Sequence, residues 1–201
     1  MKKIILLLLL PAMFSSFTAS TKTSITEEEK KFAINHLKQT QSDLLEAVHG
    51  LTDAQLNFKT APDRWSVLEC VQHITLASAG LWQMAEASLK ESNDSALKSQ
   101  VADDQLIKIV EDRSMKAQAP EPFKPIKSPY HTLDETLEAF QKDRNKLIEY
   151  IKSTNDDMRA HIAKMPFGNI DAFQVVLMIS AHTNRHTQQI NEVKADPNFP
   201  K

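Results

Sequence analysis

The chain has 201 residues, the usual length of a single domain. It carries 24 basic and 26 acidic side chains, a formal net charge of −2, and it has no basic stripe of the kind that binds nucleic acid. Because Cys70 is the only cysteine, an internal disulfide is excluded. Three glycines are few for a sheet protein with tight turns, so the composition favours an all-α fold.

The N-terminus is typical of a secretory signal peptide, because two lysines precede an apolar run at 4–14 and small polar residues follow it. The apolar run is too short to span a bilayer as a helix. Cleavage after Ala19 or Ser20 would remove the signal peptide, assigned to residues 1–20, and leave one domain at 21–201. We therefore predict an exported protein, periplasmic or extracellular, with no stable membrane insertion after cleavage. An uncleaved N-terminal anchor is the alternative.

Three capping boxes mark the beginnings of predicted long helices. In each, a hydroxyl side chain stands three residues before a glutamate, and the pair satisfies free backbone N–H groups at a helix start. The pairs are Thr26 with Glu29, Ser66 with Glu69, and Thr132 with Glu135. Apolar residues at helical spacing predict that these helices continue to Gly50, about Lys90 and about Ser153. A short helical turn is predicted at 52–56.

Residues 91–131 form a long connection between the second and third of these helices. It contains a predicted short helix at 103–117 and then a proline-rich stretch, for which we expect extended structure. Such a length is expected where the chain returns from one end of a bundle to the other. A fourth long helix is predicted from near Asp171 to Val193, after a loop at 166–168. The sequence therefore predicts an all-α four-helix bundle with a long crossover connection.

Two histidines stand on the core-facing side of the fourth predicted helix. His182 and His186 are four residues apart, so both imidazoles lie on one helical face, in line with the apolar Ile179 and Ile190. Burying two imidazoles without partners is costly, whereas neutral imidazole is a good ligand for zinc, nickel, iron or copper. Such a pair alone is more often incidental than metal-binding, and it lacks the glutamate of a zinc-protease HExxH helix.

A wider set of motifs extends from about residue 27 to the end of the chain. The motifs are Trp65-Ser66-x-x-Glu69-x-x-x-His73-Ile74, Ala119-Pro120-Glu121, Phe167-Gly168-x-x-Asp171-Ala172, His182-x-x-x-His186-x-x-Gln189-Ile190 and Asn198-Phe199-Pro200. Together they resemble the DinB-like (DinB/YfiT) family of metal-dependent four-helix-bundle proteins. In that family one histidine early in the second helix and an HxxxH pair in the last helix hold a divalent metal. The resemblance therefore implies His73, His182 and His186 as metal ligands.

The residues around these histidines have more than one interpretation. Three imidazoles suit zinc or nickel, with iron or manganese as alternatives. Glu69 is a candidate catalytic base one helical turn before the first ligand, although its capping box explains it without catalysis. Cys70 is predicted to be a buried packing residue, with a soft fourth ligand as the alternative. Gln189 is a candidate to orient the last ligand, and Trp65 is expected to close the end of the bundle.

The resemblance implies a metal-dependent hydrolase or transferase that acts on a small molecule of unknown identity. A non-catalytic metal-binding or ligand-binding bundle, with a homodimer as one possible form, is the alternative. A third interpretation is a structural bundle whose histidines only hydrogen-bond one another. The remaining histidines are predicted to be surface or helix-end residues: His36, His49, His131 and His161.

Overall fold

The computed structural model describes residues 24–92, 96–114, 116, 118–165 and 167–201. The predicted signal peptide, residues 1–20, lies outside these ranges. Six helices occur in them, and in chain order they are α1 (Glu27–Val48), α2 (Asp53–Asn57), α3 (Val67–Lys90), α4 (Asp103–Glu111), α5 (Leu133–Ser153) and α6 (Ala172–Lys194). None of the described helices has both the length and the apolar character needed to cross a membrane.

The four long helices, α1, α3, α5 and α6, all begin at capping boxes. The three predicted boxes are confirmed, since in each the N-cap hydroxyl accepts from the N3 amide and the N3 glutamate accepts from the N-cap amide. Asp171 and Gln174 make the same exchange at the beginning of α6. The short α2 confirms the predicted helical turn. Local sequence signals thus determine where most of the helices begin.

The connection between α3 and α5 differs from the prediction in its helical content. The predicted helix at 103–117 is too long, because α4 ends at Glu111. Beyond it, the Asp112 carboxylate accepts hydrogen bonds from the amide and hydroxyl of Ser114 at 2.8 and 2.7 Å, a local turn that competes with the helix. The proline-rich stretch forms two 3₁₀ turns, Glu121–Phe123 and Pro125–Lys127, instead of being extended throughout.

A small antiparallel hairpin stands where the sequence predicted only a loop. Its strands are β1 (Ile162–Met165) and β2 (Gly168–Asp171), with the first residue of β1 paired to the last of β2. Gly168 has a φ of +129°, a backbone conformation that residues other than glycine rarely adopt. Strands of four residues are too short for an alternating pattern to stand out, which is why the hairpin was not predicted. The hairpin leads directly into α6.

Helices α1 and α3 occupy opposite corners of the bundle, because each packs against both α5 and α6. One apolar cluster joins the first halves of α1 and α6 to the second halves of α3 and α5, and a second cluster joins the opposite halves. Helices α3 and α5 therefore run in the same direction. The chain between them has to return along the bundle, so the predicted crossover connection is confirmed.

A buried polar layer lies between the two apolar clusters. Arg144 of α5 is only 2% exposed. Its guanidinium donates to the Leu37 carbonyl at 3.0 Å, to the Thr40 hydroxyl at 3.1 Å and to the Thr183 hydroxyl at 2.7 Å. The hydroxyls of Thr40 and Ser180 are 3.0 Å apart. These bonds join α1, α5 and α6 near the middle of the bundle.

An ion cluster fixes the beginning of α6. Arg159 donates to the carboxylates of Glu29, Asp103 and Asp171, with shortest distances of 2.5, 2.6 and 2.9 Å. Its guanidinium also lies over the Phe173 ring, 4.3 Å from the centroid. Because the three carboxylates stand at the beginnings of α1, α4 and α6, this one side chain sets where those helix ends lie relative to one another.

Candidate metal centre

Three histidines meet where α3 and α6 pack side by side in opposite directions. His73 follows the Ser66 N-cap of α3 by about two turns. His182 and His186 stand one turn apart on the face of α6 that packs toward α3. The helical spacing in α6 therefore supplies two imidazoles, and the packing of α3 against it supplies the third.

The three rings are close enough to share one ion. The Nε2 atoms of His73 and His182 are 3.3 Å apart. The His186 ring centroid lies 4.5 Å from each of the other two, and one nitrogen from every ring lies within 4.8 Å of the others. His73 and His186 are buried, while His182 is half-buried. In the described part of the chain, this is the one group of three or more histidine, cysteine or acidic side chains that could hold a metal ion.

Hydrogen bonds fix the outward-facing nitrogen of two of these rings. Nδ1 of His73 lies 2.7 Å from the carbonyl oxygen of Phe123, and Nδ1 of His186 lies 2.9 Å from Oε1 of Gln189. Because both oxygens can only accept, each Nδ1 carries the proton and each Nε2 keeps its lone pair. This arrangement, with the second nitrogen donating to a carbonyl, is the usual support of a metal-binding histidine.

Burial keeps all three imidazoles neutral near pH 7. It lowers the pKa of His73, although the hydrogen bond to the Phe123 carbonyl acts in the opposite direction. Burial, together with the nearby His73 and Arg185, lowers the pKa of His182 to about 3. The pKa of His186 is well below its ordinary value, again mainly through burial. Neutral imidazole is the form that binds metal, so no proton has to leave before an ion enters.

The residues present fit a divalent ion with nitrogen ligands. A tetrahedral ion with Zn–N distances of about 2.0–2.1 Å separates its ligand nitrogens by about 3.3 Å. The Nε2 atoms of His73 and His182 already stand at 3.3 Å. Nδ1 of His182 is buried and has no hydrogen-bond partner among the described residues, so no carbonyl restricts which nitrogen this ring presents.

Comparison with known proteins identifies the family. A family model described as the DinB superfamily matches residues 36–190, well over half of the chain. The chain belongs to the DinB superfamily. Its fold is similar to that of YfiT from Bacillus subtilis, which is described as a probable metal-dependent hydrolase with an unusual four-helix bundle topology. The two share 18% sequence identity and a TM-score of 0.59 over 85% of this chain and 89% of YfiT. No curated protein matches the chain significantly.

Glu69, the predicted catalytic base of this DinB-superfamily protein, is held in place by two bonds. Its Oε2 accepts from the Ser66 amide at 2.9 Å as part of the capping box, and its Oε1 accepts from the Lys59 ammonium at 2.7 Å. The carboxylate is not a member of the group of three histidines. Its capping role is therefore visible in the structure, and its catalytic role stays a prediction.

Two other residues that were predicted near the histidines of this DinB-superfamily protein, Cys70 and Trp65, differ in their distance from them. Cys70 is completely buried among apolar side chains, burial raises the pKa of its thiol, and it does not join the histidine group. Trp65 packs against the second apolar cluster, with its ring centroid 4.7 Å from that of His73 and 6.0 Å from that of His186. The tryptophan therefore closes one side of the histidine cluster as well as the end of the bundle.

Two residues that support the histidines of the DinB site were not predicted. Phe123 contributes its backbone carbonyl, for which a sequence carries no signal. Arg113 donates to the Gln189 oxygen at 3.3 Å. It lies in the crossover connection, at a position that the sequence predicted to be within a helix. Gln189 itself was a candidate to orient His186, and its 2.9 Å contact with Nδ1 places it for that role.

The other histidines lie outside this cluster. His36 of α1 is half-buried and stands 3.4 Å from the Glu111 carboxylate, so it is less exposed than a surface residue. His161 contacts the Ser88 carbonyl through Nδ1 at 2.9 Å. His49 and His131 are exposed beside helix ends, as predicted. Only three of the seven histidines are therefore candidates for ligands in the described structure.

Proposed function

We propose that this DinB-superfamily protein binds a divalent metal ion through His73, His182 and His186 and uses it as a hydrolase or transferase for a small molecule. The supporting observation is the convergence of three neutral imidazoles, two of which have their outer nitrogen bonded to a carbonyl oxygen. Three protein ligands leave at least one coordination position for water or substrate, the arrangement of catalytic rather than structural sites.

The chemistry of the site follows from its composition. A divalent ion supplies Lewis acidity, which polarises a carbonyl or lowers the pKa of a bound water. The Trp65 ring lies beside two of the candidate ligands, His73 and His186. The description of YfiT as a probable metal-dependent hydrolase supports hydrolysis as the first reaction to test.

The ligand set also favours particular ions. Imidazole nitrogen suits zinc, nickel, iron and copper, whereas magnesium and manganese prefer oxygen ligands. Because the cluster contains three imidazoles and no carboxylate, we propose zinc or nickel as the resident ion. Iron suits the same ligands and is an alternative, whereas manganese would be the result of availability rather than of preference.

The first test is the metal content of the chain after purification without added metal. We expect near-stoichiometric metal by elemental mass spectrometry in the parent and almost none in a His182→Ala/His186→Ala variant, because the remaining histidine cannot hold an ion alone. A His49→Ala/His131→Ala variant removes two exposed histidines and serves as the matched control. If the parent stays metal-free after incubation with zinc, nickel, iron and manganese, the proposal is wrong.

A second experiment distinguishes an enzyme from a closed binding module. The chain is loaded with cobalt(II), and its visible absorption is recorded while azide or a small thiol is added. An open coordination position predicts a shifted spectrum, and a screen of ester, amide and thiol-transfer substrates would then follow. An unchanged spectrum would instead favour the non-catalytic metal-binding bundle.

We also propose that the protein is exported. The support is the basic and apolar N-terminal pattern of residues 1–20. Expression of the full chain in a bacterial host should give a product in the periplasm or medium whose intact mass corresponds to cleavage after Ala19 or Ser20. A full-length product confined to the membrane fraction would support the uncleaved anchor.

A further inference from the structure

One arginine of the crossover connection, Arg113, contacts α6 close to the histidine cluster. Arg113 forms a bidentate ion pair with Glu192, with Nε–Oε1 and Nη2–Oε2 distances of 3.0 and 2.6 Å. Its third hydrogen bond, from Nη1, goes to Oε1 of Gln189 at 3.3 Å. The side chain is mostly buried, with 21% of its surface exposed. Arg113 therefore lies against Gln189, the residue that contacts His186.

This contact decides which way the Gln189 amide faces. A glutamine amide has an accepting oxygen and a donating nitrogen at nearly equal reach, and either could face a neighbouring ring. A guanidinium only donates, so it selects the orientation in which the oxygen faces Arg113. That same oxygen lies 2.9 Å from Nδ1 of His186 and accepts a hydrogen bond from it. The consequence is a His186 imidazole with its lone pair on Nε2, directed to the other two histidines.

The same crossover connection also holds His73. Phe123 belongs to the 3₁₀ turn Glu121–Phe123, and its carbonyl oxygen accepts from Nδ1 of His73 at 2.7 Å. The crossover connection thus contacts His73 directly through Phe123 and reaches His186 indirectly, through Arg113 and Gln189 of α6. His182 has no such partner among the described residues.

We propose that the crossover connection supplies the outer shell of the metal centre, with Arg113 and Gln189 as positioning residues that set the tautomer of His186. The part of this inference that concerns metal affinity rests on the proposed function. The part that concerns the tautomer does not, because it can be measured in the metal-free protein. A positioning residue of this kind changes metal affinity by about 10- to 100-fold when it is removed.

A matched control separates positioning from simple attachment of the crossover to α6. Gln188 is next to Gln189 and donates to the Glu111 carbonyl at 3.2 Å, so it also fastens α6 to the crossover connection. Its hydrogen bonds among the described residues go to Glu111 and Asn184 and to no histidine of the cluster. Replacing either glutamine by leucine removes one such attachment, but only the change at position 189 removes the acceptor of His186.

The first measurement is nitrogen NMR of the histidine rings in the metal-free full chain at pH 7.5. We expect His186 to carry its proton on Nδ1 in the parent and in Gln188→Leu, and to move toward the Nε2–H form in Gln189→Leu. Gln189→Glu keeps an accepting oxygen and should restore the parent tautomer. Arg113→Met should give a mixture, because the amide is then free to turn. An unchanged His186 tautomer in Gln189→Leu would overturn the inference.

The second measurement is zinc affinity by competition with a chromophoric chelator. We expect Gln189→Leu to bind about 10- to 100-fold more weakly than the parent, Gln188→Leu to match the parent, and Gln189→Glu to recover most of the loss. Failure of the parent to bind any metal would contradict the proposed function and leave the tautomer result standing by itself. Tight binding by the parent with equal affinity in Gln189→Leu would contradict the positioning role alone.

Discussion

Phe123 contributes to the candidate metal centre with two separate groups. Its carbonyl accepts from His73, while its ring lies against α3 at Gly80. A Cβ atom at Gly80 would stand 2.6 Å from Cζ of this ring, too close for any real contact. Glycine in a helix interior lowers helix stability by about 1 kcal/mol relative to alanine. Helix stability therefore does not explain a glycine at this position. The missing side chain allows the crossover connection to approach α3 and reach the histidine.

We predict that Gly80→Ala weakens metal binding while leaving stability nearly unchanged. The added methyl displaces the Phe123 ring and with it the carbonyl that holds His73, so zinc affinity should fall about tenfold. The helix gains about 1 kcal/mol, which offsets the repacking. Zinc competition and urea unfolding measure the two effects.

Two further variants test this explanation of Gly80. Adding Phe123→Ala to Gly80→Ala removes the obstructing ring and should restore affinity, because the backbone carbonyl is retained. Gly50→Ala is the control, since Gly50 has a φ of +70° and no atom near a Cβ at that position. It should lower stability without changing zinc affinity. Equal zinc affinity in Gly80→Ala and the parent would contradict the role of Gly80.

At the scale of the elements, one arginine positions the helix that carries two of the histidines. Arg159 joins Glu29, Asp103 and Asp171 at the beginnings of α1, α4 and α6. Burial acts to raise the pKa of Glu29 and Asp103, but hydrogen bonds and the charge of Arg159 lower both overall. Burial raises the pKa of Asp171, and Arg159 only partly offsets it. Two of the three carboxylates therefore stabilise the fold when ionised.

We predict that Arg159→Met makes the free energy of unfolding less sensitive to a fall in pH. Glu29 and Asp103 have lower pKa values in the folded chain than in the unfolded chain. Their contribution is therefore present above about pH 4.5 and is lost as the pH falls through the folded values. Without the arginine this loss becomes smaller, although the Thr26 amide still lowers the pKa of Glu29 and Gln174 still lowers that of Asp103. The variant also starts from a lower stability at pH 7.

The measurement is urea unfolding of the parent and of Arg159→Met at pH 7, 5 and 3. Between pH 5 and 3 the parent should lose on the order of 1 kcal/mol more than the variant, a modest value because the carboxylates are partly solvent-exposed. Lys146→Met, which removes a cation from an exposed ion pair with Asp143, is the control and should follow the parent. A steeper acid loss in Arg159→Met would contradict this explanation.

At the scale of the whole molecule, the bundle has two apolar clusters with a charged side chain between them. The Arg144 guanidinium is bonded only to neutral oxygens among its described hydrogen-bond partners, and burial lowers its pKa to about 9. Burying a cation without a carboxylate is costly, and the bonds to two other helices recover part of that cost. The layer also fixes the register of α1 and α5 against α6.

We predict that Arg144→Ala and Arg144→Met differ widely in stability. Alanine leaves a cavity between the two apolar clusters and should lower the free energy of unfolding by about 2–4 kcal/mol. Methionine fills most of that volume and removes the buried charge. The hydroxyls of Thr40 and Thr183 still donate to helix carbonyls, so this change should be close to neutral. Urea unfolding at pH 7 measures both, and equal losses would show that the charge itself is needed.

The sequence alone determined the helical class, the beginnings of the long helices and the candidate ligands. Capping boxes and helical spacing are local signals, because they depend on residues three or four positions apart. The HxxxH pair at His182 and His186 is likewise local. The third candidate ligand, His73, came from resemblance to the DinB-like family, since spacing cannot say whether residues on separate helices face each other. The match of residues 36–190 to the DinB superfamily confirms that family assignment.

Tertiary structure decided the parts that depend on contacts across long sequence separations. The early end of α4, the hairpin before α6 and the 3₁₀ turns were not predicted, because short segments carry little periodic signal. The convergence of His73 with the HxxxH pair required the packing of α3 against α6. The carbonyl of Phe123 and the guanidinium of Arg113 became partners of the site only through the return path of the crossover. Backbone groups look alike in every sequence, so only the folded chain determines which of them meets a ligand.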